Sequence, residues 1–296
     1  MKKAIALTCL LWAVCTVTFA AEPGFTQSVE GWTMQGNFIY DLYDSAQHSQ
    51  KLSQVNAPQN QNMSIATVIY TVPDGSKFLR LNVGLTPSQV KGTGYDADWA
   101  ALGSSALTDY GNVDFYGRQR LFNLDYGWNT GSTAWFVGWE RRDSANCLQN
   151  VVYHLVSGSD VGNQTQADTG SILNGSEQGF HLGLENTIPI GRRLDLHTSL
   201  ALGLISETAH GEWYNHSPGW IWNDSGTPTL SQTLTMTLDY HFSKQSSAFL
   251  GYSYFQAKAT GLDETINQGS RNQALAGAVD LTYRQQGLIM GINAVF

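Results

Sequence analysis

The sequence predicts an all-β chain: a transmembrane antiparallel β-barrel of about ten strands with long extracellular loops. Three observations carry this reading. Apolar and polar residues alternate with period two through most of the chain. The alternating runs are joined in turn by short turns and by long polar stretches, as in a barrel with tight turns at one rim and loops at the other. Trp, Tyr and Phe cluster near the strand ends, and the chain stops on a strand whose last residue is Phe296. Beyond residue 21 no apolar run approaches the ~18 residues of a membrane helix.

The first 21 residues read as a bacterial export signal and residues 22–296 as one barrel domain. Lys2 and Lys3 precede an apolar run from Ile5 to Val17, and Phe19-Ala20-Ala21 supplies small residues for cleavage. Cys9 and Cys15 leave with the signal, so Cys147 remains alone and no intrachain disulfide can form. Only 14% of residues are charged, and the formal net charge is −8. That balance excludes nucleic acid as a partner and favours cationic ones.

The strands follow in order. Trp32, Met34, Phe38, Tyr40 and Leu42 share the first face, and a polar segment from Ser45 to Asn62 follows. The second strand runs from Met63 to Val72 and ends in the turn Pro73-Asp74-Gly75-Ser76. Leu79, Leu81, Val83 and Leu85 mark the third, which leads into VKGTGYDADW (Val90 to Trp99). Phe122 to Trp128 and Trp135 to Glu140 form a pair about Thr130-Gly131-Ser132, then a polar loop spans Ser144 to Glu177. Phe180 to Glu185 and Leu194 to Leu204 pair about Pro189 to Arg193. After a loop from Glu207 to Pro228 come Leu230 to Phe242 and Leu250 to Tyr254. Leu288 to Phe296 closes the barrel, with Ala274 to Ala278 assigned to its approach. An even count leaves both ends at the short-turn rim, with apolar faces toward lipid and polar faces toward the lumen.

The chemistry-bearing stretch is Asp96-Ala97-Asp98. On an extended chain both carboxylates point one way, roughly 6–7 Å apart, and could activate a water held between them. Taken alone, an Asp-x-Asp is more often a solvated acidic loop than a catalytic pair. His210, Glu212, Tyr214 and His216 share one parity. His210 and Glu212, at i,i+2, are within reach of an imidazole–carboxylate hydrogen bond. Their parity is the outward one of the seventh strand, so they reach a cleft only through a bulge or twist above the membrane. His210, Glu212 and His216 with Asp96 could also ligate zinc, though nothing fixes that geometry. His181, His197 and His241 fall on the lumen parity and read as polar filling.

In this order the chain resembles the omptin family of ten-stranded outer-membrane proteases. The resemblance rests on Lys51-Leu-Ser-Gln54, Tyr95-Asp-Ala-Asp-Trp99, Thr108-Asp109, Gly138-Trp-Glu-Arg-Arg142 and the closing strand Leu281 to Phe296. It implies an aspartic-type endopeptidase at the extracellular rim of a monomer in the bacterial outer membrane. Asp96 and Asp98 would be one catalytic half, and Asp44 and Asp109 would bind a cationic peptide or protein. Where the family carries Asp-x-His, this chain reads Glu207-Thr-Ala-His-Gly-Glu-Trp-Tyr-Asn-His216. Glu212 then takes the aspartate's place, with His210 as its imidazole and His216 as the alternative. No cofactor or metal is implied. Outer-membrane lipid surrounds the barrel, and Trp139 and Arg141 stand where the family binds lipopolysaccharide, although Asp143 replaces a cation there. The rival reading is a catalytically inactive barrel of the same fold, acting as adhesin, receptor or small porin.

Overall fold

The structure, a computed structural model, describes residues 24–44, 46–99, 107–155, 171–213, 220–226, 228–269 and 271–296. The expected export signal over residues 1–21, Tyr214 and His216 lie outside them. The strands are β1 (Phe25–Tyr43), β2 (Lys51–Pro58), β3 (Gln61–Thr71), β4 (Lys77–Leu85), β5 (Gln89–Trp99), β6 (Leu107–Thr130), β7 (Thr133–Leu155), β8 (Ile172–Pro189), β9 (Leu194–Trp213), β10 (Trp220–Ser225), β11 (Thr229–His241), β12 (Ser246–Gln268) and β13 (Arg271–Val295). Among the described residues there is no helix.

These strands form a closed ring of ten staves, because β13 pairs with both β1 and β12. Three staves are interrupted near the long-loop rim: β2 continues into β3, β4 into β5, and β10 into β11. Each break carries a proline, Pro58, Pro87 or Pro228. A proline has no N–H to give to a ladder, so the ladder is interrupted there and resumes beyond it. Thus β1 pairs with β3 below the break and with β2 above it. The short turns form as expected. In the first, the Asp74 carboxylate accepts from the Ser76 amide (2.9 Å) and hydroxyl (2.6 Å), and Gly75 takes φ 72°.

A belt of outward apolar side chains encircles the barrel, including Leu124, Phe180 (72% exposed), Leu202, Leu204, Leu234, Leu250 and Met290. An exposed apolar surface of that extent fits lipid rather than water. Inside the belt the lumen is polar. Arg80 Nε donates to Asp125 Oδ2 at 2.7 Å, and its Nη1 bonds Glu185. His181 Nε2 lies 2.7 Å from Asp125 Oδ1. His197 and His241 also point inward, beside Asp239 (3.6 Å) and Asp195 (2.9 Å) respectively.

Two expectations fail, for one reason. The staves run well past the segments whose alternation marks them: the stretches around Ser144, Glu207 and Gln54 are strand, not loop. Moreover, the apolar face of β1 points inward, with Met34, Phe38, Tyr40 and Leu42 buried. Above the belt the surroundings are water, so polar side chains turn outward and apolar ones fill the lumen. The alternation inverts its phase there. On β9, Leu200, Leu202 and Leu204 face out, while Ile205, Ala209 and Trp213 face in. On β13, Leu288, Met290 and Ile292 face out, while Val279, Leu281 and Tyr283 face in. The inward residues from β1, β2, β6 to β10, β12 and β13 form one apolar plug, with Phe115, Leu148, Trp222, Phe255 and Leu262 among them. Each buried Phe or Leu in it contributes roughly 1.5–3 kcal/mol.

Candidate functional site at the long-loop rim

Asp96 and Asp98 lie on β5 and face inward. Their neighbours in register, Val55 and Ser53 on β2, belong to the face that continues from Tyr40 and Leu42 on β1. A bulge at Val90–Gly92 prepares this placement, with Gly92 at φ 133°, where a side chain would be strained. The extra residue, Lys91, is driven into the interior. Its ammonium donates to Gln59 Oε1 (2.9 Å) and Ser144 Oγ (3.2 Å), and burial pulls its pKa down to about 7. Asp96 is buried at 5% exposure, and Asp98 is half-buried. Asp109 pairs directly with Asp98 through the backbone. Asp44 stands in the turn after β1, where it accepts from Ser49 Oγ (2.5 Å) and the Gln50 amide (3.2 Å).

His210 and Glu212 do make the expected hydrogen bond, Nε2 to Oε1 at 2.9 Å, and His210 Nδ1 lies 2.7 Å from Asn223 Oδ1. Burial lowers the imidazole pKa, but the bonds to Glu212 and Asn223 outweigh it, and the net shift is upward. Both residues are on the outer wall. The β8–β9 register runs from Glu212 down to Asp195 without a shift, so no bulge turns them in. The inward positions beside them are Ala209, Gly211 and Trp213. A Cβ at Gly211 would stand 1.9 Å from the Trp222 indole, which fills the space where a cleft would be. The two expected catalytic halves are therefore on opposite faces of the wall, and the structure does not bring them together. The same separation removes Asp96 from any zinc set with His210. Among the described residues no cluster of three His, Cys, Asp or Glu could hold a metal.

What faces Asp98 across the lumen is a row that the sequence did not single out. Tyr40 OH donates to Glu264 Oε2 at 2.6 Å, and Glu264 on β12 stands directly opposite Asp224 on β10. Both carboxyls are 2% exposed. Burial pushes the Tyr40 hydroxyl well above its usual range, and the nearby charges of Glu264, Asp224 and Asp98 act the same way. A second opposed pair lies nearer the belt, Glu177 on β8 and Glu207 on β9, beside the Glu140–Arg142 ion pair (3.5 Å). The missed signal is a lone carboxyl in the inverted apolar phase: Ile205-x-Glu207-x-Ala209 and Leu262-x-Glu264-x-Ile266.

On the outer wall just above the belt, Trp139 packs edge-on against Phe122, and Arg141 is gripped by Asp143 at 3.0 Å through both Nε and Nη2. Arg118 and Arg120 share a groove of about 610 Å³ with Arg141, Ser176 and His210.

Compared with solved structures, the chain superposes on the outer-membrane protease OmpT from Escherichia coli with a TM-score of 0.81. The match covers 95% of this chain and 100% of that one, at 11% sequence identity. The chain has the omptin fold. Its likeness to the translocator domain of the autotransporter NalP from Neisseria meningitidis is lower, with a TM-score of 0.39 at 11% identity over 100% of this chain and 96% of that one. No protein-family model and no curated protein matches the sequence. On this fold the chain presents an inward Asp-x-Asp on β5 and an apolar plug rich in aromatic residues beneath the opposite rim.

Proposed function

We propose that this chain is an outer-membrane barrel of the omptin fold that binds at the cell surface, as an adhesin or receptor, rather than cutting peptides. One observation carries the reading: His210 and Glu212 lie on the outer wall, while Asp96 and Asp98 face a lumen closed by Trp213, Trp222 and their apolar neighbours. A general base must come within hydrogen-bond reach of the water it activates. No path through the wall satisfies that for His210. The apolar belt supports a monomer held in lipid, with the long-loop rim outward. The groove of Arg118, Arg120 and Arg141 supports contact with lipopolysaccharide phosphates, which bind guanidinium forks well.

The second reading, an endopeptidase, is favoured by the likeness to an outer-membrane protease and by the retained Asp96–Asp98 pair opposite Asp109. One assay separates the two. Refolded full-length protein in detergent with lipopolysaccharide is offered a fluorogenic peptide carrying two adjacent basic residues. The binding reading expects the wild type and Asp98→Ala to release the same background signal. Cleavage that Asp98→Ala abolishes would establish the peptidase and end the binding reading.

A further inference from the structure

A file of polar groups lines the lumen from the short-turn end up to Glu177 and Glu207, and a second polar level stands within the apolar plug nearer the long-loop rim. A chamber of about 440 Å³ opens among the turn residues Gly131 to Thr133 and reaches Arg80, Glu185 and His197. A second, of about 270 Å³, shares Arg80 and Glu185 with it and rises to Glu140 and Arg142. Arg142 also borders a cavity of about 10 Å³, room for about one water, walled by Glu177, Glu207, Gln59 and Tyr283. Above it stand Asp224 and Glu264, then Tyr40 and Asp98 at the rim. The apolar plug is thus breached at two levels, each time by a pair of carboxyls directly opposite one another on adjacent strands.

We infer that these two carboxyl pairs are the catch of a gate: protonated they close the lumen, and deprotonated they open a narrow cation-conducting path along the file. Directly opposed cross-strand side chains have Cβ atoms roughly 4.5–5.5 Å apart, so two bare carboxylates there repel at close range in an apolar setting. Compensation is partial: Tyr40 donates to Glu264, and the Arg142 guanidinium acts on Glu177. Among the described residues, neither Asp224 oxygen, neither Glu207 oxygen nor Glu177 Oε2 has a hydrogen-bond partner. The pairs lie above the belt, where separating staves does not expose ladder groups to lipid. The upper pair sits on a short segment: β10 has six residues, paired on both sides with β9 and β12, and is separated from β11 by a break at Pro228.

The groups facing each pair set the charge of the path. Around Asp224 and Glu264 these are Tyr40 from β1 and Asp98 from β5, while β9 and β13 offer Ala209, Trp213 and Leu275. Around Glu177 and Glu207 they are Glu140 and Arg142 from β7, with Tyr283 from β13. Lys91 lies behind Gln59 and Ser144 and loses its charge near pH 7. Burial raises all four carboxyls, Glu264 to about 7 and Glu207 to about 8, so the file becomes anionic on the alkaline side of neutrality. A wetted path of that sign passes cations. A peptide-cutting rim would leave it unchanged.

The test is conductance of the refolded full chain in planar bilayers under a KCl gradient. The expected result is silence at pH 5 and cation-selective openings at pH 9. The combined variant Glu177→Gln, Glu207→Gln, Asp224→Asn and Glu264→Gln mimics the protonated pairs and should stay silent at pH 9, with its folding checked by unboiled gel mobility. Tyr40→Phe serves as the second variant. It removes the hydrogen bond that holds the Glu264 pKa down, so the opening threshold should move to higher pH. Equal conductance at both pH values, no openings at pH 9, anion selectivity, openings in the folded combined variant, or an unmoved threshold in Tyr40→Phe would each overturn the gate.

Discussion

Replacing Arg80 with Met tests whether the belt-level lumen is held by its charge network or merely filled by it. Asp125 has no exposed side-chain surface, and its carboxylate is bonded by Arg80 Nε (2.7 Å), His181 Nε2 (2.7 Å) and Asn123 Nδ2 (3.2 Å). Arg80 bonds Glu185 as well, so its loss strands two carboxylates together. Removing one partner of a buried pair costs about 3–5 kcal/mol. Met keeps most of the stem, but it forfeits the guanidinium's contact over Phe136, centred 4.8 Å away, worth roughly 0.5–2 kcal/mol. The total expected loss is about 3.5–7 kcal/mol. Reversible urea unfolding of the barrel in lipid vesicles, followed by tryptophan fluorescence, measures it. Adding Asp125→Asn to Arg80→Met should recover a large part, because the fully buried one of the two stranded charges, and its repulsion with Glu185, are gone. A loss below about 1 kcal/mol, or a double variant worse than the sum of the singles, would refute the network as the stabilising element.

Two further outcomes are expected. The carboxyls of Glu207 and Glu264 have folded pKa values raised above the unfolded ones, so the stability they permit is fully present below pH ~4. It declines as pH rises toward about 7 to 8, where they ionise in the fold. The midpoint of heat-induced mobility change should accordingly be lower at pH 9 than at pH 5, and Glu207→Gln should flatten that dependence; a midpoint rising with pH would contradict it. In the outer groove, Arg118→Ala with Arg120→Ala should weaken lipopolysaccharide binding by isothermal titration more than Arg141→Ala does, because Asp143 already engages Arg141.

The belt staves were legible because lipid imposes one rule on every residue that faces it. The runs Leu200 to Leu204, Leu234 to Leu238 and Leu288 to Ile292 show their face without reference to any neighbour. The outward parity of His210 and Glu212 was legible for the same reason, since period two carries a known face up the strand until a bulge breaks it. The absence of that bulge is a fact of pairing between β8 and β9, and only the tertiary structure decides it. The inward turn of Met34, Phe38 and Tyr40 was decided there too. A period-two run says that two faces differ, not which solvent each one meets, and the answer reverses where lipid gives way to water. The carboxyl pairs are the extreme case. Asp224 and Glu264 come face to face because β10, like β11 below it, lies between β9 and β12, and no local pattern in either segment contains the other.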